Sequence, residues 1–164
     1  MIYKTSLDGL AKTVTVAVTA LFAVTIIFLL FPITSLSITG SFFIAILIGV
    51  VYFITYSFRP IDYEITDREI IIHRLIGNVK ILREQIITAE SIEKKKISWA
   101  LRVFGVGGLF GYYGKFTNTQ LGMMTWYATR RDKLILVKTQ SGKKIILTPD
   151  DPEKFVEELN NKDV

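Results

Sequence analysis

Few residues in this chain have the types and spacing that covalent chemistry needs. Gly105-Val106-Gly107 begins the GxGxxG spacing of a phosphate-cradling loop, but Phe110 holds the sixth position and no GK[ST] follows. That stretch is not a nucleotide loop. His73, the single histidine, falls on a predicted strand with no acidic or cysteine partner at metal-ligand spacing, so it reads as an ordinary strand residue and no metal is expected. The chain has no cysteine, which removes a thiol nucleophile, a thiolate zinc site and a disulfide framework together. Asp150 and Asp151 are adjacent carboxylates, but Pro152-Glu153 follows them, the signature of a capped helix start rather than an acid–base pair. No catalytic residue, cofactor or metal is therefore expected, and the chemistry left is binding.

Two groups are candidates for it. The first is the glycine-rich, aromatic stretch from Gly105 to Thr129, which holds more than half of the chain's eleven glycines among Phe110, Tyr112, Tyr113, Phe116, Trp126 and Tyr127. Interior glycine costs about 1 kcal/mol against alanine in a helix, so this is no helix, and it is too apolar for a linker. It reads as an irregular segment whose glycines permit sharp turns. Its rings either plug one end of a bent sheet or form an exposed patch, with Leu109, Phe110, Tyr112, Tyr113 and Lys115 as the partner contacts. The second group is basic: Lys94, Lys95 and Lys96, with Arg130 and Arg131, candidates for anionic lipid headgroups. The formal net charge of +5 is too mild for nucleic acid, which needs a basic stripe.

What must position these groups divides by composition. From Thr13 through Phe58 no residue is formally charged. Thr13–Phe31 and Ile38–Phe58 are uncharged apolar runs, each about 30 Å long as a helix, the thickness of a bilayer core. Pro32 ends the first, and Ser35, Ser37, Thr39 and Gly40 make a short polar turn. A transmembrane hairpin over residues 1–59 is the reading. The first run exceeds the roughly 7 to 15 apolar residues of a signal peptide. Lys4, Lys12 and Arg59 flank the spans and nothing charged joins them, so both termini and the following domain are expected to face the cytoplasm, in a multi-pass protein of the cytoplasmic membrane. Thr13, Thr15, Thr19 and Thr25 are expected to bond back to their own helix.

After Pro60 the pattern becomes strand-like. Ile61, Tyr63 and Ile65 alternate with polar residues; further strands follow at Ile70–Leu75, Val79–Arg83 and Ile86–Ile92, with Gly77-Asn78 as a two-residue hairpin turn. Ile97, Leu101 and Phe104 allow a short helical turn. Met124–Thr129, Lys133–Thr139 and Lys143–Thr148 complete about seven strands, and a helix capped by Asp151 closes the chain with Phe155, Val156 and Leu159 on one face. The fold class is α+β, mostly β: a strongly bent antiparallel sheet over residues 60–164, one open end closed by the C-terminal helix.

Gly107-Gly108-Leu109-Phe110-Gly111-Tyr112, Gly114, Phe116, Leu121-Gly122, Tyr127-Ala128-Thr129, Pro149, Asp151-Pro152 and Phe155 together resemble the bacterial pleckstrin-homology (PH)-like domain families, over roughly Ile61 to Leu159. The resemblance implies a PH-like barrel behind a membrane anchor, serving as a binding or scaffolding module without enzymatic activity. The partner would be a protein segment, a peptide or a second copy; the alternative ligand is anionic lipid. The loop after the first strand carries Asp67-Arg68, one base beside acids, so the phosphoinositide site of eukaryotic relatives is not expected there.

Overall fold

The computed structural model describes residues 1–30 and 38–161. Two long helices come first, α1 (Gly9–Leu30) and α2 (Ile38–Ser57). Both are long and apolar enough to cross a membrane, and almost none of either is buried inside the protein. Val16, Phe28, Phe43 and Leu47 are among the exposed side chains, the arrangement of a lipid-facing pair and not of a soluble core. The helices touch through Tyr52, whose hydroxyl lies 2.8 Å from Thr19 Oγ1 and whose ring meets Phe22 edge-on. Phe31, the expected last residue of the first span, Pro32, its expected stop, and Ser35 and Ser37 of the expected turn lie outside the described residues. Thr39 and Gly40, read as part of that turn, belong to the first turn of α2; an apolar segment in lipid has to satisfy its backbone internally, which extends the helix.

Ten strands are present among the described residues, in two sheets. The first is fully antiparallel in the order β1 (Ile2–Lys4), β2 (Asp62–Ile65), β3 (Glu69–His73), β4 (Val79–Leu82). The second runs β5 (Ile86–Ile92), β9 (Leu134–Thr139), β10 (Lys144–Leu147), β8 (Gly122–Ala128), β7 (Gly111–Asn118), β6 (Leu101–Gly108). Its pairs are antiparallel except β8 with β10, which run parallel. The sheets pack together but do not close into a barrel. Helix α3 (Pro152–Asn160) covers one opening, with Phe155 set edge-on against Tyr3 and Tyr63.

Seven of the expected strands are present. The other three are β1, β6 and β7. β1 precedes the helices, and Tyr3 is buried opposite Tyr63; three residues are too few to show alternation. From Gly105 the glycine stretch is paired rather than irregular: it forms most of the antiparallel hairpin β6–β7, turning at Leu109-Phe110, and then β8. The helical turn is displaced, too. Lys94–Ile97 is a 3-10 turn, while Leu101 and Phe104 lie on β6. The connection from β3 to β4 is five residues rather than two, with Gly77 at φ +67 and Asn78 Oδ1 accepting the Arg74 N–H. At the other end Asp151 does cap α3, accepting from the Lys154 N–H, and Phe155 and Leu159 are its buried face. Arg83 donates to the backbone carbonyls of Glu158, Leu159 and Asn161, a cation on the last carbonyls of the helix.

Two glycines that face each other across the hairpin are obligatory. Gly105 and Gly114 sit opposite each other at φ +114 and +122. A Cβ on Gly114 would lie 2.8 Å from the Gly105 Cα and closer still to the Phe104 carbonyl oxygen. Gly114→Ala should lower stability by roughly 2–6 kcal/mol, from a strained φ and a backbone clash. Gly122→Ala, at φ +67 with open space around it, should cost only about 1–2 kcal/mol. Melting of the full-length variants in detergent micelles measures the difference.

Candidate functional site

The aromatic hairpin is docked on the membrane helices. Phe110, at φ +58 in the turn, places its ring edge-on to Tyr52 and Tyr56 of α2, with centroids 5.1 and 5.2 Å away. Its N–H donates to Thr15 Oγ1 on α1 (2.9 Å), so this threonine serves the domain, while Thr13 and Thr25 bond back as expected and Thr19 bonds both back and to Tyr52. The Tyr113 hydroxyl donates to the Thr55 carbonyl, one of the last four carbonyls of α2, which no intrahelical N–H can reach. Ile76 N–H donates to the Ser57 carbonyl beside it (3.2 Å). Arg59 lies over the Tyr56 ring, 4.3 Å from its centroid.

The residue that caps the start of α1, Asp8, is held by the same sheet. Asp8 Oδ1 accepts from the Ala11 N–H (2.7 Å) and from the Tyr112 hydroxyl (3.2 Å), while Oδ2 accepts from the Arg131 N–H (3.0 Å). Burial, and then the neighbouring Asp8 charge, push the Tyr112 phenol up to about 12, against a smaller opposing pull from Arg131. Burial also raises the Tyr113 phenol.

Of the residues expected to touch a partner, Phe110, Tyr112 and Tyr113 are thus buried against the helices or the sheet, Leu109 is half-buried, and Lys115 is exposed with its Nζ donating to Thr125 Oγ1 (2.7 Å). The basic group divides. Lys94, Lys95 and Lys96 are exposed on their 3-10 turn, anchored by Asn118 Nδ2 donating to the Lys96 carbonyl. Arg130 is held between Asp132 (2.6 Å) and Asp150 (3.0 Å), and Arg131 lies over the Tyr112 ring. His73 is not without acidic neighbours: Asp62 Oδ1 lies 2.5 Å from its Nδ1 and Glu64 Oε2 3.4 Å from its Nε2, because antiparallel pairing brings β2 alongside β3. Among the described residues no cluster of side chains is arranged to hold a metal ion.

Sequence reading missed two things. Asp8, a lone acid one residue ahead of an apolar helix, carries an N-cap signal that could have been found. The exposed apolar surface could not. Trp99, Leu101, Val103, Phe104 and Met123 are all more than half exposed, and pairing sets Leu101, Thr117 and Met123 in one row across β6, β7 and β8. β6 is the last strand of its sheet, and a bulge at Val103 interrupts its ladder. Inward from Phe104 the surface continues into a cleft of about 720 Å³ between the two sheets, reaching Ile54, Thr55 and Phe58 at the end of α2.

Two outcomes test this joint. Phe110→Ala should loosen the docked hairpin by roughly 3–5 kcal/mol, the cost of a lost core ring, seen as faster amide exchange in β6, β7 and the last turn of α2 with sheet one unchanged. The fold favours the neutral Tyr112 phenol, so its contribution is full below pH 10 and is lost as pH rises through about 12. Melting temperature followed across that window should fall less steeply in Tyr112→Phe.

A sequence model of the bacterial PH domain matches residues 61–163. No curated protein and no solved structure matches the chain. With well over half its length covered by that match, and with two packed sheets closed at one end by a C-terminal helix, the chain belongs to the bacterial PH domain family.

Proposed function

We propose that this protein is a non-enzymatic binding module, anchored in the cytoplasmic membrane with its PH domain and both termini on the cytoplasmic side, which docks an amphipathic, acid-flanked segment of a protein partner. The orientation rests on Lys12 and Arg59 at the domain-side ends of the spans, with Lys4 ahead of them, under the positive-inside bias. The observation that carries the binding reading is the apolar surface of Trp99, Leu101, Val103, Phe104 and Met123. Surfaces of this kind on a folded domain mark interaction sites.

The partner's chemistry follows from the surroundings. Lys94, Lys95, Lys96, Arg102 and Lys115 are exposed on or beside the surface, which favours acidic flanks on the partner. A second copy would bring its own Arg102 and lysines against these, like charge to like. The bulge at Val103 breaks the strand edge, so contact is made through side chains rather than by an added strand. The separate reading in which Lys94, Lys95, Lys96, Arg130 and Arg131 jointly bind lipid headgroups is weaker, since the Arg130 charge is already met by Asp132 and Asp150.

A photo-crosslinking residue at Leu101 of the full-length protein, in its native membrane, should capture one protein through a segment identifiable by peptide mapping. Leu101→Glu in the non-crosslinking chain should weaken its binding to a peptide of that segment about tenfold or more, by burying a like charge in the contact. Cross-links confined to lipid, or to a second copy of this chain, would overturn the reading.

A further inference from the structure

The cleft behind that surface has a chemistry of its own. Its floor is apolar, formed by Val106, Tyr127 and Ile145 of sheet two, and its wall is formed by Val79 and Ile81 of sheet one. At about 720 Å³ it falls within the roughly 300–1,000 Å³ of ligand clefts. Four cations line it, Arg74, Lys80, Lys115 and Lys143, and no aspartate or glutamate does. Lys80 holds Glu69 (2.7 Å); Arg74 donates to the Gly77 carbonyl and Lys115 to Thr125 Oγ1, but these two and Lys143 have no carboxylate partner among the described residues. One end of the cleft is formed by the last turn of α2 and the residue after it: Ile54 and Phe58 are part-exposed there, with the Arg74 guanidinium over the Phe58 ring. Arg59, the first charge after the uncharged span, is the next residue, so this end of the cleft opens at the level where bilayer gives way to water. The smaller cleft beside α3, of about 500 Å³, differs on each point: Asp67 and Glu84 line it and no membrane helix reaches it.

We propose that this cleft binds an anionic phospholipid drawn sideways from the bilayer. One acyl chain lies on Val106, Tyr127 and Ile145, and the phosphate sits among Arg74, Lys115 and Lys143. The apolar floor gains by burying a chain. The cations gain an anion that no protein carboxylate supplies, in a setting where each is worth about one order of magnitude or less in affinity. The site borders the outward surface at Phe104 and Lys115 but does not use Trp99, Leu101 or Met123, so it does not depend on a protein docking there.

The test uses the full-length protein in vesicles that contain phosphatidylglycerol with a diazirine far along one acyl chain, and in matched vesicles with the same chain on phosphatidylcholine. Irradiation and peptide mapping should place the phosphatidylglycerol label on the strands carrying Val106, Tyr127 and Ile145, in addition to α1 and α2. Reversing two cations, with Lys115→Glu and Lys143→Glu together, should cut cleft labelling about tenfold or more while leaving helix labelling unchanged. Both side chains are exposed, so the fold should survive, with circular dichroism as the check. Val106→Trp, which fills the cleft from a half-buried position, should abolish cleft labelling by a different route. Label confined to the helices, equal cleft labelling by phosphatidylcholine, or full cleft labelling in either folded variant would overturn the proposal. So would displacement by excess glycerol phosphate, which would show a soluble phosphate site without a place for the chain.

Discussion

A helix that leaves a bilayer must still satisfy its terminal backbone groups, and this requirement organises the molecule. Near lipid an unpaired N–H or C=O is costly, and water is scarce to offset it. Here the sheet domain supplies the partners. Asp8 caps the start of α1 and is itself fixed by Tyr112 and by the Arg131 N–H; Tyr113 and Ile76 close the end of α2. Tyr112 and Tyr113 come from β7, and Ile76 and Arg131 from strand connections, so the contacts that close the helix ends also fix the domain against them. The Phe110 ring between Tyr52 and Tyr56 adds packing to the same joint. The joint is therefore a constraint on orientation as much as a source of stability.

The glycines serve this joint indirectly. To place Phe110, Tyr112 and Tyr113 at the helix ends, β6 and β7 must lie very close where Gly105 faces Gly114, with both backbones at positive φ. Side chains at those positions would meet the opposite backbone before the strands could pair. Gly105, which begins a GxGxxG spacing, is with Gly114 what lets two strands pair tightly beneath a ring cluster. A membrane anchor of two helices, a rigid coupling, and a sheet face left uncovered beyond the coupling then follow in order. The uncovered face is where binding chemistry is available, because the rings themselves are turned inward.

The candidate site was only partly legible before the tertiary structure. The aromatic stretch was recognised as structured, yet the rings chosen as partner contacts are the ones buried against the helices, while Trp99, Leu101, Val103, Phe104 and Met123 are exposed. Residue type does not separate these sets. Both lie on strands or the turns beside them, both are large and apolar, and the direction each faces depends on a bulge at Val103 and on where two distant helices end. Lys115 alone among the expected partner residues remains exposed. Arg130 shows the same limit from the charged side, since Asp132 was visible two residues away but Asp150 was brought in by the fold.

The amino-acid sequence by itself determined the two apolar helices, seven of the ten strands among the described residues, and the capped C-terminal helix. Those features are written in local patterns: runs without charge, alternation, Asp-Pro-Glu before an apolar face. Only the tertiary structure decided that Ile2–Lys4 joins a sheet with residues some sixty positions later, that the glycine stretch is a hairpin, and that a cleft lined by cations and free of carboxylates opens beside α2. Each of these depends on contacts between segments far apart in the chain, and no local period encodes them. The same physical reason separates the two lists throughout: short-range chemistry fixes an element, but what that element faces is set by the other elements that need its surface.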